Sequence, residues 1–437
     1  MILDPVTTGM LGLAGVFILL FLGMPIAFAL MLAGFAGIAQ LTSMGAALPV
    51  ASRTIYEVSA YYPYTVIPLF ILMGGFAGSS GMTRELYRTF DHWLRRLPGG
   101  LGIATIGACA GFSAVSGSSV ATAAAMGTVA LPEMQRFGYD PRFASGTIAA
   151  GGTLGFLIPP SIGFVVYGML TEQSIGKLLI AGMIPGLLLS LAYVAIIVLW
   201  VKLKPNLAPT NPEPVAWRRK LRSLLSVWEP LSIFVVVMGG IYLGFFTPTE
   251  AGALGATLLL LAALLKRRLS RRNLMEGLSE AVRTSVMVLF LVAGANVFSY
   301  FLALSTIPME VAAWAADLSV SRFAVLAIIV LIYLFLGCFL DAISMMVLTM
   351  PVVFPIVLTL GFDPIWFGVI AVLMMEAGLI TPPMGLNIFT VAGVARNIRV
   401  EEIFVGVAPF LLAIFAVLCV VTVYPELVLC LPDMMLR

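Results

Sequence analysis

PEMQRFGYDPRF (132–143) returns 223 residues later as PIVLTLGFDPIWF (355–367). Pro132 falls on Pro355, Gly138 on Gly361, and Asp140–Pro141 on Asp363–Pro364. The same offset carries Gly155, Pro159 and Pro160 of GFLIPPS onto Gly378, Pro382 and Pro383 of GLITPPM. Further upstream, LFILMGG (69–75) matches LFLVAGA (289–295) at an offset of 220. A constant offset that carries glycine, aspartate and paired prolines points to two homologous halves in one chain.

The surroundings of these repeats are apolar. Of 437 residues, 61% are hydrophobic and only 10% are charged, whereas soluble domains carry about a quarter charged residues. A water-soluble body of this size would expose oil and aggregate. A membrane span takes about 20 residues, so the chain has room for many crossings and little else. No charged segment is left for a soluble catalytic or nucleotide-binding domain. The formal net charge of +3 is too small for a nucleic-acid surface. His92 is the sole histidine, and Cys109, Cys338, Cys419 and Cys430 form no CxxC pair, which argues against a transition-metal or haem site. The opening stretch MILDPVTTGMLGLAGVFILLFLGMPIAFAL lacks a basic n-region and a small-residue cleavage site, so it reads as a retained first span.

Hydropathy predicts spans near 7–24, 26–48, 62–80, 178–202, 226–245, 249–265, 281–304, 310–320, 323–338 and 403–424. Three basic clusters punctuate them: Arg84, Arg88, Arg95 and Arg96; Lys202, Lys204, Arg218, Arg219, Lys220 and Arg222; and Lys266, Arg267, Arg268, Arg271 and Arg272. The positive-inside rule sets all three in the cytoplasm. The segment 62–80 then ends inside, the N-terminus is external, and the first pair of spans is inverted relative to the pair after the central loop. The expected division is a first inverted repeat over 1–202, with scaffold spans 1–98, hairpin and broken helix 99–170, and a connecting span 178–202. A basic, Pro-rich cytoplasmic loop follows over 203–224. The second repeat covers 225–437, with scaffold spans 225–320, hairpin and broken helix 323–393, and a last span 403–424. Inverted halves with discontinuous helices are the signature of a secondary transporter.

Two apolar regions are repeatedly broken by Gly, Pro, Ser and Thr, and a membrane tolerates such breaks only where backbone is buried or lines a polar cavity. In the first, GACAGFSAVSGSSVATAAAMGTVALPEM (107–134) predicts a re-entrant hairpin turning at Ser116-Gly117-Ser118-Ser119. Half-helix ends at such a turn present carbonyls to a cation and N–H groups to an anion. Ser116, Ser118, Ser119 and Thr122 add hydroxyls. Small residues also serve plain helix packing, but packing favours small-xxx-small spacing and SGSS is contiguous. In AAGGTLGFLIPPSIGFVVYG (149–168), Pro159 and Pro160 break the helix and free the carbonyls from Gly155 to Ile158.

The second region opens with GCFLDAISMMVLTMPVVFPI (337–356), whose polar members are Asp341, Ser344 and Thr349. An intramembrane aspartate is costly and marks a site by default. The offset sets Asp341 on Ser118, where a carboxylate has three uses: ligating a cation, carrying protons, or bracing the hairpin through backbone N–H groups. EAGLITPPMGLN (376–387) then brings Glu376, Thr381, Met384 and Asn387 around the second proline pair. Oxygen-rich, histidine-free sites suit a hard cation such as sodium, with proton coupling through Asp341 or Glu376 as the alternative. Ser118, Thr122, Asp341, Ser344 and Asn387 form the candidate substrate or support set. No Walker signature is present, which argues against an ATP-driven pump within the chain. No nucleophile–base–orienter set argues for an enzyme. Paired broken helices fit alternating access better than a channel or a passive scaffold.

These runs resemble the DctM-like large membrane subunit of tripartite ATP-independent periplasmic (TRAP) transporters. The similarity extends in order through GMPIAFAL (23–30), IPLFILMGGFAG (67–78), SGSSVATAAAMGTVALPEM (116–134), GYDPRFASGTIAAGGTLGFLIPPSI (138–162), FFTPTEAGALGA (245–256), GCFLDAISMMVLTMPVVFPI, GFDPIWFGV (361–369) and EAGLITPPMGLN. It covers nearly the whole chain. The resemblance implies an all-α inverted-repeat transporter of the ion-transporter superfamily type, with two re-entrant hairpins, two broken helices and an elevator movement. It implies sodium as the coupling ion, a first sodium site at Ser116, Ser119, Gly155, Ile158 and Pro160, and a second at Gly337, Gly378, Thr381 and Met384. The implied partners are a separate small four-helix membrane subunit and a periplasmic substrate-binding protein that delivers an organic anion such as a C4-dicarboxylate, sugar acid or 2-oxo acid. The implied location is the bacterial inner membrane. The competing reading is a stand-alone sodium- or proton-coupled anion transporter of the same superfamily, needing no binding protein.

Overall fold

A computed structural model of the chain describes residues 4–209, 215–317, 320–395 and 397–435. Regular structure among them is helical throughout. Seven described helices are long and apolar enough to cross a membrane: Tyr62–Ser79, Ile175–Leu203, Trp217–Tyr242, Pro248–Leu265, Arg271–Leu304, Ala342–Thr359 and Val400–Val423. An eighth span is bent, Pro141–Leu157 meeting Ile162–Thr171 at 41°. Large side chains such as Phe21, 90% exposed, and Leu265, 84% exposed, face outward. Such a surface is stable against lipid tails and not against water. The chain is an all-α polytopic membrane protein.

The 223-residue offset reappears in the helix boundaries. Helix Ser119–Arg136 has its counterpart in Ala342–Thr359, and the next helices begin at Pro141 and Pro364. The caps match as well. Ser118 Oγ accepts from the Ala121 N–H at 3.3 Å, and the Asp341 carboxylate accepts from the Ser344 N–H at 3.1 Å. Asp140 Oδ1 accepts from the Arg142 and Phe143 N–H groups, and Asp363 Oδ1 from those of Ile365 and Trp366, at 2.8–3.2 Å. Each bond satisfies donors that the first helical turn leaves without an intrahelical partner, at about 1 kcal/mol per cap. The helices then break around Pro159–Pro160 and Pro382–Pro383, both in the cis form, and resume at Ile162 and Leu386.

Four expected spans differ in detail. The segment 26–48 is two helices, Ile26–Leu41 and Met44–Ala60. Ser43 parts them: its extended backbone leaves the helix and its hydroxyl accepts from the Ala46 N–H. The segment 178–202 lies within Ile175–Ala181 and Met183–Leu203, joined at Gly182. The segment 281–304 is the apolar end of a 34-residue helix, Arg271–Leu304. The segment 310–320 corresponds to Ile307–Asp317, with 318–319 outside the described residues. Within the central loop, 210–214 also lie outside them, and the span Trp217–Tyr242 begins there as a short helix, Trp217–Leu224, that leads into Trp228–Tyr242.

The three basic clusters pack together. Lys266 pairs with Glu85 at 3.2 Å and Glu229 at 2.7 Å, and Arg268 pairs with Glu85 at 2.7 Å. Arg268 also donates to the Ser80 carbonyl at 2.9 Å. Thr89 Oγ1 donates to the Ser223 carbonyl at 3.0 Å, and the Lys220 ammonium lies over Trp93 and Trp217. The amphipathic helix Met82–Leu94, burying Leu86 and Tyr87 and exposing Arg84 and Arg88, is the common neighbour. The charges that punctuate the sequence thus share one region of the fold.

Candidate functional site

The first helix of hairpin one ends at Ser116; Gly117 turns in the left-handed region at φ +65°, and Ser118 caps the returning helix. The break of the next helix lies directly on this tip. A Cβ on Gly155 would sit 2.5 Å from Ser118 C and O and from Ser119 N, so only glycine allows the approach. The Ile162 N–H donates to the Gly117 carbonyl at 3.3 Å, and a Cβ on Gly117 would lie 2.7 Å from the Pro160 oxygen. Thr122 Oγ1 donates to the Ser118 carbonyl at 2.8 Å. With that proton committed, the 3.0 Å contact between Ser116 Oγ and Thr122 Oγ1 has Ser116 as donor. The structure therefore brings Ser116, Ser118, Ser119, Thr122, Gly155 and Pro160 together. Ile158 stands beside this group: it ends the short helix Leu154–Leu157, donates to the Leu154 carbonyl, and packs its side chain beside Gly186.

Glu376 stands outside the candidate ion set, yet it belongs to the same cluster. It is 0% exposed, and its Oε1 accepts from Ser119 Oγ at 2.6 Å and from the Phe156 N–H at 3.0 Å. Nearby, buried Asn387 donates from Nδ2 to the Ala149 carbonyl at 3.3 Å. Residues from the second broken region thereby reach the tip of the first hairpin. The sequence carried the signal, an acid in an apolar run, but the partners of Glu376 are 257 and 220 residues away.

The second cluster is built on close backbone contact. A Cβ on Gly337 would lie 2.8 Å from Gly378 Cα, and one on Gly378 would lie 2.8 Å from Gly337 Cα. Beside this contact is a pocket of about 240 Å³ lined by Gly337, Asp341, Gly378 and Met384 among others. Met384 is 48% exposed there. Thr381 sits one turn along, its Oγ1 donating to the Ala377 carbonyl at 2.6 Å. Asp341 caps its own helix. Ser344 supplies the capped N–H and is buried.

Both clusters offer oxygen atoms, from hydroxyl, backbone carbonyl and carboxyl groups, a chemistry that fits a hard cation. Ser119 and Thr381 each give their proton to a protein acceptor, which leaves their lone pairs for a ligand. No group of three or more His, Cys, Asp or Glu side chains gathers among the described residues.

Known proteins resemble this chain along most of its length. The model of the DctM component of tripartite ATP-independent periplasmic transporters matches residues 13–427. The chain is 38% identical over 380 residues to the C4-dicarboxylate TRAP transporter large permease protein DctM of Pseudomonas aeruginosa, covering 87% of this chain and 88% of that one. It is 36% identical over 420 residues to the isethionate TRAP transporter permease protein DctMQ of Oleidesulfovibrio alaskensis, covering 93% of this chain and 64% of the relative. The chain thus spans less than two thirds of that longer protein. Its fold is similar to the crystal structure of the Alcanivorax borkumensis YdaH transporter, with a TM-score of 0.61 at 16% identity, over 84% of this chain and 86% of that one.

Proposed function

The chain belongs to the family of DctM components of tripartite ATP-independent periplasmic transporters, and we propose that it is the large transmembrane subunit of a sodium-coupled importer of small organic anions. It is a transport protein and not an enzyme. The observation that most supports the sodium reading is the close backbone approach of the hairpin tip to the broken helix at Gly155, with the Ser119 hydroxyl beside it. The first sodium site is assigned to Ser116, Ser119, Gly155, Ile158 and Pro160, and the second to Gly337, Gly378, Thr381 and Met384. The two hairpins and broken helices, repeating at one offset, are assigned to an elevator-type transport body built of inverted repeats. The gathered basic clusters face the cytoplasm of a bacterial inner membrane, which leaves the N-terminus periplasmic.

The named relatives handle a C4-dicarboxylate and isethionate, a carboxylate and a sulfonate. Small organic anions are accordingly the proposed substrate class, with Ser118, Thr122, Ser344 and Asn387 near the site as polar support. A separate small membrane subunit and a periplasmic binding protein complete the importer. Reconstitution tests this directly. Proteoliposomes holding the chain, the small subunit and the binding protein should take up the anion only under an inward sodium gradient. Uptake by the chain alone would refute the tripartite assembly.

Asp341 separates capping from charge. Asn caps a helix as well as Asp does, so Asp341→Asn should leave membrane level and thermal midpoint close to wild type. It should lower uptake about tenfold, because the carboxylate lines the pocket beside Gly337 and Gly378 and its attraction for a cation is lost. Equal loss of protein level and uptake would reduce Asp341 to a structural brace.

A further inference from the structure

We propose that Glu376 is the positioning residue that sets the donors of the first sodium site and couples that site to the second, an inference that rests on the sodium reading above. Two first-site groups are held by one atom. Glu376 Oε1 accepts hydrogen bonds from the Ser119 hydroxyl at 2.6 Å and from the Phe156 N–H at 3.0 Å. A serine hydroxyl has one proton and two lone pairs. With the hydroxyl donating to Glu376, both lone pairs of Ser119 Oγ are directed elsewhere, toward a cation. Without that acceptor the proton is free to rotate into the site and oppose the ion's charge.

The Phe156 N–H works through its own peptide plane. It shares that plane with the Gly155 carbonyl, and in a trans peptide the two dipoles point in opposite directions. Holding the N–H against Glu376 therefore turns the Gly155 oxygen away from the carboxyl. Glu376 thus orients one donor from the hairpin and one from the broken helix.

The coupling follows from where Glu376 is anchored. It lies in the last turn of helix Pro364–Gly378, two residues before Gly378. Gly378 packs backbone to backbone on Gly337, its partner in the second site. A displacement of that helical turn when a cation binds at Gly337 and Gly378 moves the Glu376 carboxyl with it. Binding at either site then preorganises the other, which is positive cooperativity.

The test is a sodium titration of thermal unfolding midpoint on the full chain with its small subunit in detergent, potassium holding ionic strength constant. Wild type should respond sigmoidally, with a Hill coefficient above about 1.5. Glu376→Gln keeps an acceptor oxygen at the same reach, so it should retain the sigmoid with a sodium midpoint within about threefold of wild type. Glu376→Asp keeps a carboxyl but draws it back by one methylene. It should raise the sodium midpoint about tenfold and bring the Hill coefficient to about 1. A normal wild-type titration with an unaltered Asp variant overturns the positioning role alone, as does an Asp variant that outperforms Gln. A wild type with no sodium-specific shift overturns the sodium reading, and the inference with it.

Discussion

Gly155→Ala is expected to abolish sodium-driven uptake and to destabilise the folded protein. The added Cβ would stand 2.5 Å from Ser118 C and O and from Ser119 N. These are backbone atoms, so no side-chain rotation relieves the clash. The hairpin tip and the broken helix must separate by about 1 Å to restore van der Waals contact. Overpacking of this kind costs about 1–3 kcal/mol in a well-packed core, and a rigid backbone neighbour sets the cost at the upper end. Function is more sensitive than stability, because a misplacement of about 1 Å in a binding constellation can cost about a hundredfold. Gly163→Ala is the control. Its Cβ would meet its nearest neighbours at 3.5 Å, an ordinary contact, so uptake should survive. Comparable uptake by both variants would remove the close approach at Gly155 from the mechanism.

Ser119→Ala should raise the sodium concentration for half-maximal uptake about tenfold or more, with the protein still assembled in the membrane. The variant removes a proposed cation ligand. It also removes the hydroxyl that donates to Glu376 Oε1, leaving that atom the Phe156 N–H alone. A lost bond to a buried carboxyl costs about 1–3 kcal/mol, a tenfold change in affinity being about 1.4 kcal/mol. Thermal midpoint without sodium reports the structural share of that loss, and the sodium dependence of uptake reports the rest. An unaltered sodium response would take Ser119 out of the site.

Much of this arrangement is legible from local sequence. The offset between PEMQRFGYDPRF and PIVLTLGFDPIWF reappears as matched helix starts at Ser119 and Ala342 and at Pro141 and Pro364. Caps, left-handed glycines and prolines act within a few residues, so a repeat in sequence becomes a repeat in backbone. The turn at Gly117 and Ser118 follows for the same reason. The break at Ser43 escaped because hydropathy averages over a window and does not see a single capping hydroxyl. Helices Met82–Leu94 and Trp217–Leu224 escaped because they carry the basic clusters, which read as loops when only apolar runs are sought. The bond between Ser119 and Glu376 escaped for a different reason. It joins residues far apart in the chain, and only tertiary packing sets them at 2.6 Å.

The most direct measurement of sodium coupling at this site is equilibrium binding of radiolabelled sodium to the purified chain with its small subunit. Saturable binding is predicted, displaced by unlabelled sodium, indifferent to potassium, and strongly weakened by Ser119→Ala. Absence of saturable binding, or binding unchanged by Ser119→Ala, would contradict a sodium site where the hairpin tip meets the broken helix at Gly155.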